Sequence, residues 1–323
     1  MDELRRARES DRRLPDFFIV GHAKCGTTAL YKMLKAHPQI YMPDLKEPQF
    51  LARDPQQSTR PSTQGPRSLH DYLSLFDAAA PAQRAGEGST TYLRTPSAPA
   101  RIAELRPDAR IIAIIREPAS FLRSLHLQLL QSGIEDEADF ATAIGLEQER
   151  RRGGHLPGDP FWSQALLYSG HVRYAEQLRR YREHFASEQV LTLIYDDFRL
   201  DHRRFIRRVL RFLEVDDSIE LEAAEANPTV RVRSQRAEGV LDAVAMGRGP
   251  IAASAKAALK TVVPRRVRRD ALRAARRQIV DEPLAPDELL MADLRRRFKG
   301  EVVAASEYLG RDLVRLWGYD EIR

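Results

Sequence analysis

Cysteine is almost absent from this chain: Cys25 is the only one among 323 residues. A single thiol excludes an internal disulfide and any cysteine-based zinc site. Long apolar runs are missing as well. No stretch approaches the roughly 20 residues that a bilayer span needs. The opening segment, MDELRRARESDRRLPD, is charged throughout and has no apolar core of the kind a secretory signal carries. These absences set the expectation of a cytoplasmic protein. Lysine is scarce too, with seven residues against 45 arginines, yet Lys24, Lys32, Lys35 and Lys46 fall within 23 residues of one another. Where arginine is the default cation, a loop lysine stands out as a compact point charge.

What is present describes a globular α/β protein. Hydrophobic residues make up 43% of the chain and charged residues 30%, and the length suits one large domain. Phe17–Val20 is a short apolar run ending at Gly21, as a buried parallel strand would be. Thr27–Ala36 has helical spacing, with Ala29, Leu30, Met33 and Leu34 on one face. ARIIAIIR, Ala109–Arg116, is the clearest strand, and it leads into a helix beginning near Pro118. A long helix over Gly170–Phe185 precedes a further strand, Gln189–Tyr195. Such alternation predicts a mostly parallel sheet covered by helices on both faces, with ligands at the carboxyl ends of the strands.

The expected organisation is one domain over residues 16–323, preceded by a charged tail, residues 1–15. A Pro-, Ser- and Gln-rich loop or lid spans Asp54–Gly65, and residues 238–285 form a basic helical segment inside the domain. Within that segment Ser254–Arg277 carries nine Lys or Arg and one acid, Asp270. The tail over Pro286–Tyr319 has two amphipathic patterns, one through Leu289, Leu290, Leu294 and Phe298, the other through Leu309, Leu313, Leu316 and Trp317.

The chemistry concentrates in GHAKCGTT, Gly21–Thr28. A strand, a glycine loop and a helix start place backbone N–H groups around one point and bind an anion whatever the enzyme class. The spacing is nearly that of a P-loop, G-x-x-x-x-G-K-[ST], with Gly21, Gly26 and Thr28 in place. Thr27, however, stands where the lysine that reaches the β/γ-phosphates belongs, and Lys24 comes three residues too early. A nucleoside triphosphate is therefore not favoured, although Asp196-Asp197 after the strand LTLIY could hold Mg²⁺ if this were a P-loop kinase. A nucleotide with a different 5′ group fits the loop.

AKCGTT, Ala23–Thr28, resembles the 5′-phosphosulfate loop P-K-[SG]-G-T-[TS] of sulfotransferases that use 3′-phosphoadenosine 5′-phosphosulfate (PAPS), apart from its first residue and the cysteine. The resemblance implies that Lys24, Cys25, Gly26, Thr27 and Thr28 hold the phosphosulfate, with Lys24 also at the group being transferred. IIREPASFLRS is similar to the family's 3′-phosphate signature, an arginine ending a strand and a serine eight residues on, here Arg116 and Ser124. An arginine fork and a hydroxyl suit a phosphate dianion. ANPTVRVRSQRA, Ala226–Ala237, is read as a strandless stretch resembling the nucleotide-covering loop, with Arg233 and Ser234 as its ligands. KEPQFL resembles the E-x-x-F-F stretch of glycan sulfotransferases and implies Glu47 as general base, walled by Phe50, with His22 as the rival base. Where many relatives read like G-E-K-S-P-x-Y-L, this chain has GEGSTTYL, with Gly88 at the lysine position.

The resemblance therefore implies a metal-independent enzyme that uses PAPS as co-substrate and leaves adenosine 3′,5′-bisphosphate. Its acceptor would be a hydroxyl, or an amine, of a glycan, glycolipid or other small molecule. Nucleic acid is not expected as a partner, and 254–277 is a candidate for contact with an anionic membrane surface. A P-loop kinase and a polyanion-binding protein remain the alternative readings, the latter supported by the net charge of +6.

Overall fold

The structure, a computed structural model, describes residues 2–52, 65–156, 160–222, 231–232, 280–281 and 285–322. Five strands form one sheet: β1 (Phe17–Ile19), β2 (Ile40–Tyr41), β3 (Arg84–Gly88), β4 (Arg110–Ile115) and β5 (Val190–Ile194). Their order is β2-β3-β1-β4-β5 and every pairing is parallel. Successive side chains of a strand point to opposite faces. Phe17, Phe18 and Ile19 are all buried, as are Ile111 to Ile115, so both faces of the sheet centre are covered, as the apolar runs predict.

The chain diverges above β1 and β4. From β1 it passes through α2 (Thr27–Lys35) to β2 at one edge; from β4 it leads through α3 (Pro118–Gln131) towards β5 at the other. Adjacent strands whose connections part in this way leave a crevice at their carboxyl ends. Gly21 is what lets the β1 loop pass over β4. A Cβ there would lie 2.5 Å from the backbone nitrogen of Ile114.

Two strands have no apolar-run signal. β2 has two residues, and β3 reads RAGEG, including the buried carboxylate of Glu87. The expected long helix over Gly170–Phe185 is instead two helices, Tyr168–His171 and Tyr174–Arg182. The Tyr174 N–H bonds to Val172 at 2.8 Å, and the Gln177 side-chain amide takes the vacated Gly170 carbonyl at 2.7 Å. A side chain thus replaces the ladder bond that the break removes. The residues expected as a charged tail include a helix, α1 (Asp2–Arg8), whose Leu4 and Ala7 are buried against the domain.

At the other end the helix Glu288–Leu309 packs on α3. Leu294 and Phe298 of its expected apolar stripe are buried, but Leu289 in the first turn is 84% exposed. In the second pattern Leu313 and Trp317 are buried and Leu316 is exposed. The expected strandless stretch contains a two-residue strand, β6 (Arg231–Val232), which lies beside α3 and pairs antiparallel with β7 (Val280–Asp281). Arg233, Ser234, lid residues 54–64 and the basic segment 254–277 lie outside the described residues. Among the described residues, no helix is long and apolar enough to cross a membrane.

Candidate active site

The turn between β1 and α2 is built around two left-handed residues, Lys24 at φ 64° and Gly26 at φ 87°. For a lysine this conformation is uncommon. Gly26 is the N-cap of α2 and supplies no side-chain cap, so the first backbone N–H groups of the helix are left for an incoming acceptor. Thr27 is buried and Thr28 half-buried in the first turn. Cys25 is fully buried, and burial pushes its thiol up to about 12. It can serve an anion through its backbone but not as a thiolate.

Arg116, at the end of β4, meets this loop directly. Its guanidinium donates to the Lys24 carbonyl at 3.1 Å and to the Ser120 hydroxyl at 3.3 Å, and lies 5.0 Å from the ring centre of Tyr195. Its own carbonyl accepts from the Tyr174 hydroxyl at 2.8 Å. Ser124 is buried on the same helix, one turn beyond Ser120. Desolvation and the Arg116 charge both lower the pKa of Lys24, and the same two causes lower that of Arg123. Positive charges held together at this cost mark a place where an anion would be welcome. Ser120, Arg123 and Tyr195 carry no signal of their own in the sequence. Only their proximity to Arg116 distinguishes them.

Glu47 occupies the carboxyl end of β3. Its N–H donates to Gly88 at 3.0 Å, and Gly88 is in register with Ile19 of β1, two residues before Gly21. The carboxylate is exposed to about a third and is bracketed by polar groups: Lys46 at 2.6 Å and the Thr90 hydroxyl at 2.9 Å. Glu47 (φ 61°) and Gln49 (φ 54°) are both left-handed, and the Gln49 N–H is tied to the Ser89 hydroxyl at 3.0 Å. Ser89 in turn donates to Glu87 at 2.5 Å, and Tyr72 donates to the other Glu87 oxygen at 2.8 Å. Burial raises the Glu87 pKa to about 7 against those hydrogen bonds. Phe50, the expected apolar wall, stacks on Tyr72 at 4.8 Å. At Gly88, the position where the resemblance leads one to expect lysine, a Cβ would already sit 3.0 Å from the Tyr31 ring.

His22 is buried behind the loop among Phe121, His171 and Tyr174. Its Nε2–H donates to the Gln177 side-chain oxygen at 2.9 Å, the Gln177 amide nitrogen being engaged with Gly170. Desolvation, with the charges of Arg94 and Arg180, lowers its pKa to about 4. The histidine is a neutral wall element in this arrangement, not a group on the open face. His37, His126 and His171 are likewise buried and hydrogen-bonded. The aspartates considered for Mg²⁺ are otherwise engaged. Asp197 forms a two-pronged pair with Arg311 at 2.5 and 2.7 Å, and Asp196 accepts from the Trp317 indole at 3.0 Å.

A sequence profile described as the sulfotransferase family matches residues 15–218, which contain β1 to β5, Lys24, Glu47, Arg116 and Ser124. Heparan sulfate glucosamine 3-O-sulfotransferase 3A1 of Mus musculus is 28% identical over 211 residues, covering 64% of this chain and 47% of that protein. The chain thus spans about half the length of that curated relative. Carbohydrate sulfotransferase 15 of Homo sapiens is 43% identical over 72 residues, 21% of this chain and 13% of its own length. Among solved structures, that of a sulfotransferase from Alicyclobacillus acidocaldarius superposes with a TM-score of 0.58 at 31% identity, covering 67% of this chain and 87% of the other.

Proposed function

The chain belongs to the sulfotransferase family, and from that premise we propose that it transfers a sulfuryl group from PAPS to a hydroxyl of a glycan. The observation that carries the reading is the junction of the two expected phosphate sites, Arg116 bonded to the Lys24 carbonyl at the β1–β4 crevice. A donor with a 5′-phosphosulfate and a 3′-phosphate needs two cationic sites at a fixed separation. A loop at one strand end and an arginine fork at the neighbouring strand end meet that need.

Bound there, PAPS supplies an activated sulfur whose bond to the phosphate oxygen is the one that breaks. Lys24 and the N–H groups of the first turn of α2 stabilise the charge left on that phosphate. Arg116, Ser120 and Ser124 would take the 3′-phosphate. Glu47, at the level of the loop but on the β3 side, takes the acceptor's proton as its oxygen attacks sulfur. The glycan class is supported by the relatives' names, heparan sulfate glucosamine 3-O-sulfotransferase and carbohydrate sulfotransferase. The engagement of Asp196 and Asp197 by Trp317 and Arg311 counts against the kinase reading.

The test is incubation with PAPS and a panel of glycans and simpler hydroxylated acceptors, read by product mass. A gain of one sulfuryl group that requires PAPS and survives EDTA supports the proposal. ATP dependence abolished by EDTA would replace it with the kinase reading.

A further inference from the structure

The helix His202–Phe212, HRRFIRRVLRF, has two unlike faces. Phe205, Ile206, Val209 and Leu210 are buried in the core, whereas Arg203, Arg204, Arg207, Arg208 and Arg211 are all exposed. Arg204, Arg207, Arg208 and Arg211 follow helical spacing of three and four, so they share one stripe about 10 Å long. Arg211 pairs with Asp217 at 2.5 Å and Arg203 with Glu220 at 3.7 Å. Arg204, Arg207 and Arg208 have no acidic partner among the described residues. The helix itself contains no acid, and Asp201 at its start is engaged as the cap of the Arg204 N–H at 2.9 Å. With Asp201, the five arginines line an open cavity of about 590 Å³.

Like charges at this spacing work against the helix. The buried apolar face holds it together regardless, leaving a row of guanidinium forks on an outer wall. The row starts near the candidate active site. Only five residues separate Asp201 from Tyr195, whose ring underlies Arg116. It runs towards the amino end of β4, where the Phe212 carbonyl accepts from Arg110.

We propose that this arginine face is a docking site for a linear anionic glycan, which it grips through sulfate or carboxylate groups. The ligand class rests on the glycan reading above; the charge and geometry of the face do not. Guanidinium forks match planar carboxylates and the oxygens of sulfate two at a time. A membrane-surface helix would have to turn its apolar face outward. Here that face is in the core, and the only large apolar side chain exposed at the helix start is Leu200. A single-stranded nucleic acid would want exposed rings to stack on. Phe205 is buried, and Phe212 is covered by Arg110.

The test uses the full chain and the triple variant Arg204→Ser/Arg207→Ser/Arg208→Ser on immobilised heparin. Thermal shifts with adenosine 3′,5′-bisphosphate are run on both proteins in parallel. The variant should release at clearly lower salt, and its plot of log affinity against log salt should be shallower by roughly two units, as for three lost ionic contacts. Its melting temperature should change little, because the relief of mutual repulsion offsets the lower helix propensity of serine. The corresponding triple lysine variant should restore the salt slope but only part of the affinity. Unchanged heparin release in the serine variant overturns the proposal. So does a wild-type preference for phosphatidylserine-containing vesicles over heparin that the serine variant loses. The bisphosphate shift reports separately on the donor site: its absence in both proteins would count against the PAPS reading and leave the heparin comparison interpretable.

Discussion

The Arg116 guanidinium donates to the backbone carbonyl of Lys24 at 3.1 Å across 92 positions of sequence. One side chain therefore serves two purposes: it presents charge beside β4 and holds the β1 loop in its left-handed turn at Lys24. Arg116→Ala should weaken binding of adenosine 3′,5′-bisphosphate by about 1.5–3 kcal/mol, as for other charge-assisted contacts. It should also reduce the preference for the bisphosphate over adenosine 5′-phosphate. Calorimetric titration of both nucleotides against both proteins checks this. An unchanged preference would leave Arg116 as a loop support alone.

Glu47 and His22 are separated by environment. Glu47 is partly exposed at the end of β3, while His22 is neutral, buried and committed to Gln177. Glu47→Gln should lower kcat by roughly 10²–10⁴ while leaving bisphosphate affinity nearly unchanged. His22→Gln should be milder in turnover and should act mainly through stability. Rates from product mass, with thermal shifts alongside, distinguish the two. The reverse order of effects would make histidine the base.

The parts of this fold that could be read from the sequence are those governed by local pattern. β1, β4 and β5 are apolar runs, and the Gly21–Thr28 loop and the Arg116–Ser124 spacing follow them directly. β3 escaped because its packing comes from others: a Cβ on Gly86 would meet the Phe17 ring at 2.1 Å, so the strand's apolar contact is made by Phe17 and Met42. The break before Tyr174 depends on a Gln177 side chain that also accepts from His22, 155 positions away. Asp196 and Asp197 suggest metal ligands only while their partners Trp317 and Arg311, more than a hundred positions on, are unknown. The polar ties around Glu47 involve Thr90 and Ser89, and no spacing rule brings those residues together.

Gly21 and Gly26 should fail differently when substituted. At Gly21 a Cβ would lie 2.5 and 2.8 Å from the Ile114 backbone, in the middle of a buried strand that cannot retreat. Gly21→Ala should cost about 3 kcal/mol or more, at the upper end for overpacking. At Gly26 the obstacle is the left-handed backbone and a Tyr195 ring 3.1 Å away, a side chain and not backbone. Gly26→Ala should fold with a loss of about 1–2 kcal/mol and lose bisphosphate affinity. Urea unfolding of the two variants, with and without bisphosphate, gives both quantities.

Two buried groups should shape the dependence of stability on pH, with opposite signs. Glu87 ionises at about 7 in the folded chain because it is desolvated, against an ordinary value of 4.5. Between those values the native state holds more protons than the unfolded one, so stability falls as pH rises. The full effect is about 3 kcal/mol. His22, lowered from 6.5 to about 4 by burial, works the other way: its contribution is complete above pH 6.5 and is lost as pH falls towards 4. His171, also lowered by burial, adds to that side. Stability should therefore peak near pH 6.5 and decline on either side. Glu87→Gln removes the fall that runs from pH 4.5 to 7, so the variant should gain on wild type by about 2.5 kcal/mol between pH 5 and pH 8. Urea midpoints for both proteins at pH 5, 6.5 and 8 decide the matter. Parallel curves would mean that the Tyr72 and Ser89 hydroxyls keep Glu87 ionised throughout.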